Sequence, residues 1–262
     1  MGINLTTNLD SAAAARFLDK SSRATSSNIS KLSSGLRINR NADDSSGLAI
    51  SEQLKAQVRG LAQASRNGHD GVSMIQVAEG ALAEIQGALI RMRELAVQSA
   101  NASQTPATRA FINTEYRTLR QEIDRIVDST DFNGKKLLNT AGSFAFQVGA
   151  AALATENMIA VSLLDMSASS LGGSVAGATT LAGTTVSTVT AALNAISSLD
   201  QALTDVSTQR ATIGTSQNRL ILALDNVSAT RENLVAVNSR IRDVDIATET
   251  SEFTRNQILG QA

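Results

Sequence analysis

Residues 199–241 read LDQALTDVSTQRATIGTSQNRLILALDNVSATRENLVAVNSRI, and this stretch decides the fold. An apolar side chain recurs in it at every seventh position. The positions are Leu199, Val206, Ile213, Leu220, Val227, Leu234 and Ile241. Seven residues are close to two helical turns, so the spacing predicts one long helix with a narrow apolar stripe. At about 1.5 Å per residue the stripe would run roughly 65 Å, and it needs an equally long partner.

The companion row of the same repeat is more polar. It comprises Ile196, Leu203, Arg210, Gln217, Leu224, Arg231 and Asn238. A two-stranded coiled coil prefers apolar residues in both rows. The mixed row therefore predicts a helix with a broad, partly solvated face that belongs to a bundle. Periodicity alone assigns it a structural role without chemistry.

Composition excludes several classes of protein. The chain has 262 residues, a formal net charge of -1, no cysteine and one proline. The near-neutral charge gives no electrostatic basis for binding nucleic acid or anionic lipid, and without cysteine there are no disulfides or thiolate metal sites. Aromatic residues make up only 3% of the chain, which favours close packing of small side chains. No apolar run is long enough for a membrane span, and the first ten residues lack the features of a secretory signal.

Three more helical segments precede the repeat. Residues 3–36 are helix-prone, and residues 37–47 form a polar break rich in residues that start helices. Residues 48–100 predict a second long helix, with its apolar seam interrupted at Ser65 and Gly68.

A third helix follows a short turn. Thr105 can cap it, and Pro106 suits its first position. Its predicted apolar stripe is Ile112, Tyr116, Leu119, Ile123 and Ile126. The short turn makes the second and third helices antiparallel neighbours.

The pattern then changes to that of a small β element. Asn133-Gly134 is a strong hairpin signal. Apolar residues alternate around Phe144 and Phe146, and again around Val161, as they do in strands. Residues 165–190 form a Ser/Gly/Ala/Thr tract whose composition predicts a loop or tip that buries no core. The N- and C-terminal helices are expected to pack on each other. The terminal segments 1–36 and 244–262 have no third element within the chain to cover them, so their apolar faces are expected to be buried by other copies or to remain mobile.

Motifs for catalysis or metal binding are weak. His69 is the only histidine and lies beside Asp70, but no nucleophile-elbow sequence accompanies it, so a solvated helix histidine is expected. Asp43-Asp44 lacks the remaining ligands of a calcium loop. We therefore expect no enzyme activity, no cofactor and no metal.

Several sequence blocks together resemble bacterial flagellins. They are LSSGLRIN at 32–39 with ADD at 42–44, QASRN at 63–67, RELAVQSAN at 93–101, EIDRI at 122–126, FNG at 132–134, QNRL at 217–220, and QIL at 257–259. The blocks occur in order at sensible spacing across nearly the whole chain outside the low-complexity tract. The resemblance is specific for that reason.

The resemblance implies a mainly α fold: an elongated bundle of long antiparallel coiled-coil-like helices with a small β-hairpin element. Residues 1–43 and 244–262 would be the terminal coiled-coil segments of the filament inner core. Residues 44–164 and 191–243 would form the helical spoke domain, and residues 165–190 a short variable tip. The implied function is a structural subunit that self-assembles into the flagellar filament for motility.

The resemblance also implies partners and a location. These are other copies of the chain, an export chaperone, the filament cap and the hook-associated proteins. The subunit would be secreted through the flagellar type III channel into the extracellular flagellum, without insertion into a membrane.

Toll-like receptor 5 is a further implied partner. The family's receptor-contacting residues correspond to Arg91, Leu95 and Glu115. Leu89 and Met92 join them as candidate receptor or inter-subunit contacts.

One departure and two alternatives accompany the resemblance. Family members continue beyond the QIL block with another apolar stretch, whereas this chain stops at Ala262, which implies a shortened inner core layer or a truncated chain. The alternative functions are a hook–filament junction protein and a flagellin-like cell-surface binding protein.

Overall fold

The computed structural model describes residues 9–151, 154–173 and 179–261. This part of the chain is mainly α-helical, as predicted. Its helices are α1 (Leu9–Ser34), α2 (Ser45–Ala100), α3 (Pro106–Ser129), the single-turn α4 (Ala154–Asn157), α5 (Val189–Arg242) and α6 (Ile246–Gln261). Its strands are β1 (Asp131–Phe132), β2 (Lys135–Lys136), β3 (Gly142–Gln147) and β4 (Met158–Leu163), and a 3-10 turn spans Leu181–Gly183.

The chain divides into two compact units. Unit 1 comprises Met1–Gly60 and Ala229–Ala262, and unit 2 comprises Leu61–Ser228. The division expected from the sequence sets the terminal segments 1–43 and 244–262 apart because they would pack against other copies. A single copy does not test that division, so it stays a prediction.

Within unit 2, α2 buries a continuous seam spaced alternately by three and four residues. Its buried positions are Leu61, Ala64, Gly68, Gly71, Ile75, Ala78, Leu82, Ile85, Leu89, Met92, Ala96 and Ser99. The expected interruption at Ser65 and Gly68 is wrong, because Gly68 is itself a buried seam position. A Cβ built at Gly68 would lie 2.7 Å from Cδ2 of Leu224 on α5, so glycine permits this close approach.

The predicted stripe of α5 is confirmed within unit 2, and the companion row is partly solvated, as its polar members predict. Leu199, Val206, Ile213 and Leu220 have no exposed surface. A second buried row consists of Ala195, Ala202, Gln209 and Ser216, one position before the companion row, whose member Leu224 is also buried. Ile196, Leu203, Arg210 and Gln217 are only half-buried. Small side chains therefore dominate the second buried row of α5, and the larger Ile196 and Leu203 lie beside it, partly exposed.

The start and the stripe of α3 follow the sequence prediction. Thr105 caps the helix, because its Oγ1 accepts a hydrogen bond from the Thr108 backbone N–H at 3.2 Å. Pro106 occupies the first turn. The buried residues of α3 are Ile112, Tyr116, Ile123 and Val127, with Leu119 and Ile126 partly buried against the same core.

The Asn-Gly hairpin is confirmed. Asn133 and Gly134 have φ angles of 51° and 76° between β1 and β2. Positive φ at both central residues matches the type I′ turn that this dipeptide favours. A second antiparallel pair, β3 with β4, places Phe144 opposite Val161, and Val161 is fully buried.

The 165–190 tract is mostly loop, as expected, but it does contribute to the core. The structure describes residues 165–173 and 179–190 of it. Met166, Leu171, Leu181 and Val186 are each at most 1% exposed and belong to the unit 2 core. The expectation that this composition buries no core is therefore wrong for these residues.

Side chains of α3 hold the tract in place. The Tyr116 hydroxyl lies 2.7 Å from Oγ1 of Thr184, and Arg120 donates from Nη1 to the Ala182 carbonyl at 2.7 Å. Oδ1 of Asn113 accepts from the Val186 N–H at 3.1 Å. Because α3 satisfies these loop polar groups, a few well-spaced apolar residues suffice to bury the tract.

In unit 1, the two terminal helices pack against each other, as predicted. α1 contacts α6, and an antiparallel bridge joins Leu36 to Asp243 where both chain segments leave their helices. The Arg37 N–H donates to the Arg242 carbonyl at 2.6 Å, and the Val244 N–H donates to the Gly35 carbonyl at 3.0 Å. Backbone hydrogen bonds thus fix the ends of the pair.

The buried contacts of the α1–α6 pair are polar. Asn28 is the buried residue of α1, and Glu249 is the buried residue of α6. The Asn28 side-chain nitrogen, in the amide orientation that satisfies both of its polar atoms, lies 3.2 Å from Glu249 Oε1. Lys31 Nζ lies 3.6 Å from the same oxygen. A buried polar layer of this kind favours one helix register over others.

Candidate functional site

Arg91 and Glu115 form an exposed ion pair between α2 and α3. Nη2 and Nε of Arg91 lie 2.8 and 3.1 Å from Oε1 of Glu115. Nη1 lies 2.9 Å from Oε2 of Glu94. The hydrogen bond that Arg91 donates to Glu115, and then the one it donates to Glu94, raise the pKa of Arg91 above its ordinary value. The side chains are 52% and 48% exposed, so the pair is available for contact and adds little to stability.

The three apolar candidates lie elsewhere. Leu89 and Met92 have no exposed surface, and Leu95 is 1% exposed. Leu89 and Met92 occupy seam positions of α2, and Leu95 lies next to the seam residue Ala96, so all three point into the unit 2 core. The structure therefore brings Arg91 and Glu115 together on the surface and withdraws Leu89, Met92 and Leu95 from it.

Sequence reasoning missed the exposed apolar residues of this region. Ile90 and Val97 are 47% and 49% exposed, and they are seven residues apart on the outer face of α2. With Arg93, Glu94 and Gln98 they line a shallow depression. The sequence contains a signal for them. Their seven-residue spacing repeats the period of the α2 seam, one position after the buried residues Leu89 and Ala96.

A second group of exposed apolar side chains lies on α1 and α6 in unit 1. Phe17 and Leu18 are 72% and 56% exposed on α1. Ile258 and Leu259 are 60% and 63% exposed on α6. Soluble monomers rarely expose several large apolar side chains on one pair of helices. This surface of α1 and α6 is therefore typical of one that other molecules cover.

The side chains that most often bind metal ions do not cluster at these surfaces in the described part of the chain. His69 is exposed on α2, and its backbone carbonyl accepts a hydrogen bond from the Ser73 hydroxyl. Among residues 9–151, 154–173 and 179–261, no three His, Cys, Asp or Glu side chains cluster closely enough to hold a metal ion. In the same part of the chain, no helix has the length and apolar character that crossing a bilayer requires.

Two family models match most of the chain. The bacterial flagellin N-terminal helical region matches residues 5–143, and the bacterial flagellin C-terminal helical region matches residues 196–262. The chain belongs to the bacterial flagellin family. Since flagellins are structural proteins, the chain is a structural subunit of the bacterial flagellar filament.

Individual flagellins are similar over nearly the whole chain. A flagellin of Halalkalibacterium halodurans is 46% identical over 89% of this chain and 83% of its own length. The flagellar filament 33 kDa core protein of Treponema phagedenis is 40% identical over 97% of this chain and 91% of its own length. The crystal structure of Bacillus cereus flagellin has a TM-score of 0.53 and 29% identity, and it covers 66% of this chain and 94% of that one.

Proposed function

We propose that this filament subunit polymerises by burying the α1–α6 surface against other copies. The observation that carries this mechanism is the set of exposed apolar side chains on both terminal helices. Burying one large apolar side chain contributes about 1.5–3 kcal/mol, so a few such contacts per neighbour are enough for a stable lattice. The filament core protein of Treponema phagedenis supports the same assignment.

Seeded polymerisation tests the mechanism. Purified wild-type chain is mixed with short filament seeds and followed by sedimentation and electron microscopy. We expect long tubular filaments. The variant carrying Phe17→Ala and Leu18→Ala is expected to raise the critical concentration about tenfold or more, because it removes apolar area that neighbours would bury.

Lys20→Ala is the matched control, since it shortens an exposed α1 side chain without removing an apolar one. It should leave the critical concentration close to that of the wild type. Equal polymerisation of the wild type and the Phe17/Leu18 variant would contradict the proposal. Addition of wild-type chain that stops after one layer on the seed ends would instead support the junction-protein alternative.

Three further parts of the proposal rest on family membership. The subunit is exported through the flagellar type III channel, is held before export by a chaperone, and meets the filament cap and the hook-associated proteins. A pull-down of the chain with the purified chaperone, cap and hook-associated proteins tests these partners one by one.

Recognition by Toll-like receptor 5 is a separate proposal. The exposed Arg91–Glu115 pair supports it, whereas the burial of Leu89, Met92 and Leu95 restricts direct contact to the charged pair. Arg91→Ala should lower signalling in receptor-expressing reporter cells. Arg125→Ala breaks another exposed arginine–glutamate pair, with Glu122 on α3, and serves as the control. Equal signalling by both variants would refute this contact.

A further inference from the structure

A cationic groove lies in unit 1, between α1 and the loop that joins α1 to α2. We define it by Arg23, Ser26 and Lys31 of α1 together with Asn39, Arg40 and Asp43 of the α1–α2 loop, which line a cavity of about 370 Å³. Three of these side chains are positively charged and one is negatively charged. No part of the function argued above uses this groove.

The two arginines of the groove have no partner. In the described part of the chain, the Arg23 and Arg40 guanidinium groups make neither an ion pair nor a side-chain hydrogen bond. Lys31 is different, because it pairs with Glu249 at 3.6 Å. The free donors of the groove are therefore planar, forked guanidinium groups, which bind carboxylates and other oxyanions in a bidentate manner.

The carboxylate in the groove, Asp43, bonds to the backbone rather than to the arginine side chains, and the charges of Lys31 and Arg40 affect its pKa less than these backbone hydrogen bonds do. Oδ2 of Asp43 accepts from the Asn39 and Arg40 backbone N–H groups at 3.0 and 2.8 Å. These hydrogen bonds lower the pKa of Asp43, with the Arg40 backbone contributing most. Asp43 thus shapes the loop that presents Arg40, and the arginine side chains stay available.

The charge balance of the chain indicates what the groove can bind. The four charged groove residues carry a net charge of about +2, whereas the whole chain carries -1, so the rest of the surface is acidic by about three charges. The remainder of the chain therefore has more carboxylates than basic groups, and an acidic side chain of another copy has the charge that complements the groove. Complementary charge of this kind guides encounter and fixes the register of an interface.

We propose that the Arg23–Arg40 groove receives a carboxylate side chain from a second copy of the chain during filament growth. The inference rests on the proposed self-assembly and adds a specific polar contact to it. The α1–α6 apolar surface supplies the area that is buried between copies. The groove fixes the orientation of the incoming copy, because its carboxylate must enter the cavity that both guanidinium groups line. Neutralising the groove therefore weakens growth even though the apolar surface is intact.

The first test measures growth. The variant carrying Arg23→Gln and Arg40→Gln should raise the critical concentration on wild-type seeds about tenfold, and the circular dichroism of its monomer should be unchanged. Arg59→Gln is the matched control, since Arg59 is an exposed arginine of unit 1 on α2 and loses the same charge. Growth of the double variant at the wild-type critical concentration would overturn the groove proposal and leave the proposed function standing. Failure of the wild type itself to grow would refute the function.

The second test identifies the occupant. Arg40→Lys keeps the charge and adds an amine that a zero-length carbodiimide joins to a nearby carboxylate. Filaments grown from equal parts of ¹⁴N- and ¹⁵N-labelled Arg40→Lys chain should yield cross-linked peptides of mixed label that join residue 40 to an Asp or Glu. Cross-links of single label only, or none, would overturn the assignment.

Inorganic phosphate distinguishes a small-ion site from a contact between copies. Titration calorimetry of the wild-type monomer with phosphate, repeated on the Arg23/Arg40 variant, measures binding of a free oxyanion. Phosphate binding that the variant loses, combined with unaltered growth of the variant, would make the groove an anion site and refute the inter-subunit contact.

Discussion

Unit 2 and the α1–α6 pair of unit 1 use helices of similar composition in opposite ways. The seams of α2 and α5 bury apolar residues such as Leu82, Ile85 and Leu199 without any exposed surface. The buried positions of α1 and α6 are Asn28 and Glu249, and apolar residues such as Phe17 remain outside. Unit 2 completes its core within one molecule, whereas the α1–α6 pair does not.

The difference separates stability from assembly. In unit 2, apolar burial stabilises the monomer. In the α1–α6 pair, polar groups fix the register and the apolar area stays available for neighbours, so its burial contributes to polymerisation instead. A subunit that must persist as a monomer before it joins a filament benefits from this division.

The largest expected effect is loss of a seam residue in unit 2. Leu89→Ala should reduce the free energy of unfolding by about 2–5 kcal/mol, because Leu89 is fully buried and its removal leaves a cavity. Urea unfolding followed by circular dichroism measures the change. Phe111→Ala is the control, since Phe111 is 77% exposed on α3 and its loss should cost less than about 0.5 kcal/mol. If both variants lose a similar free energy of unfolding, the α2 seam is not the closely packed core of unit 2.

A smaller effect tests whether the 165–190 tract belongs to unit 2. Gly172 has a φ of +80°, and a Cβ built on it would lie 2.8 Å from the backbone oxygen of Ser198. Gly172→Ala should therefore cost about 1–3 kcal/mol in urea unfolding. Gly183→Ala is the matched control within the tract, because no atom lies within 4 Å of its added Cβ. If both substitutions are neutral, the tract is not part of the cooperative fold.

Much of unit 2 could be predicted from the periodicity of its sequence, and there is a physical reason why the rest could not. The Leu199–Leu220 stripe, the cap at Thr105 and the Asn133-Gly134 turn all follow from local rules, and the structure confirms them. The second buried row could not be predicted in this way, because Ala195 and Ala202 carry a weaker hydrophobic signal than Ile196 and Leu203, which are only half-buried. Small residues are buried where two helices approach closely, and their spacing alone does not reveal this.

The candidate site was predictable only in part. The pairing of Arg91 with Glu115 depends on α2 and α3 being antiparallel neighbours, which the short turn between them indicated. The burial of Leu89 and Met92 was readable from the α2 repeat, since both fall on its seam. Anchoring of the tract was not readable, because the side chains that hold it come from scattered positions on α3 and no local pattern links them.

The smallest expected effect concerns the link between α3 and the tract. The Thr184 hydroxyl donates to the Leu181 carbonyl at 2.8 Å, so the Tyr116 hydroxyl is the donor in its contact with Thr184. Tyr116→Phe removes this hydrogen bond and should cost about 0.5–1.5 kcal/mol at neutral pH. Burial raises the pKa of Tyr116 above its ordinary value of 10.0.

The direction of that shift predicts an alkaline transition. The folded state holds the Tyr116 proton above the pH at which the unfolded chain loses it, so this stability is complete below about pH 10 and is lost as pH rises through the folded pKa. Tyr116 is the only tyrosine and there is no tryptophan, so near-ultraviolet phenolate absorbance reports on this residue alone. Phenolate should appear together with loss of helical circular dichroism, and Tyr116→Phe should show a shallower alkaline loss of stability. Phenolate that forms at the ordinary pH while the helices remain intact would mean that solvent reaches the hydroxyl, and that the tract does not close over α3.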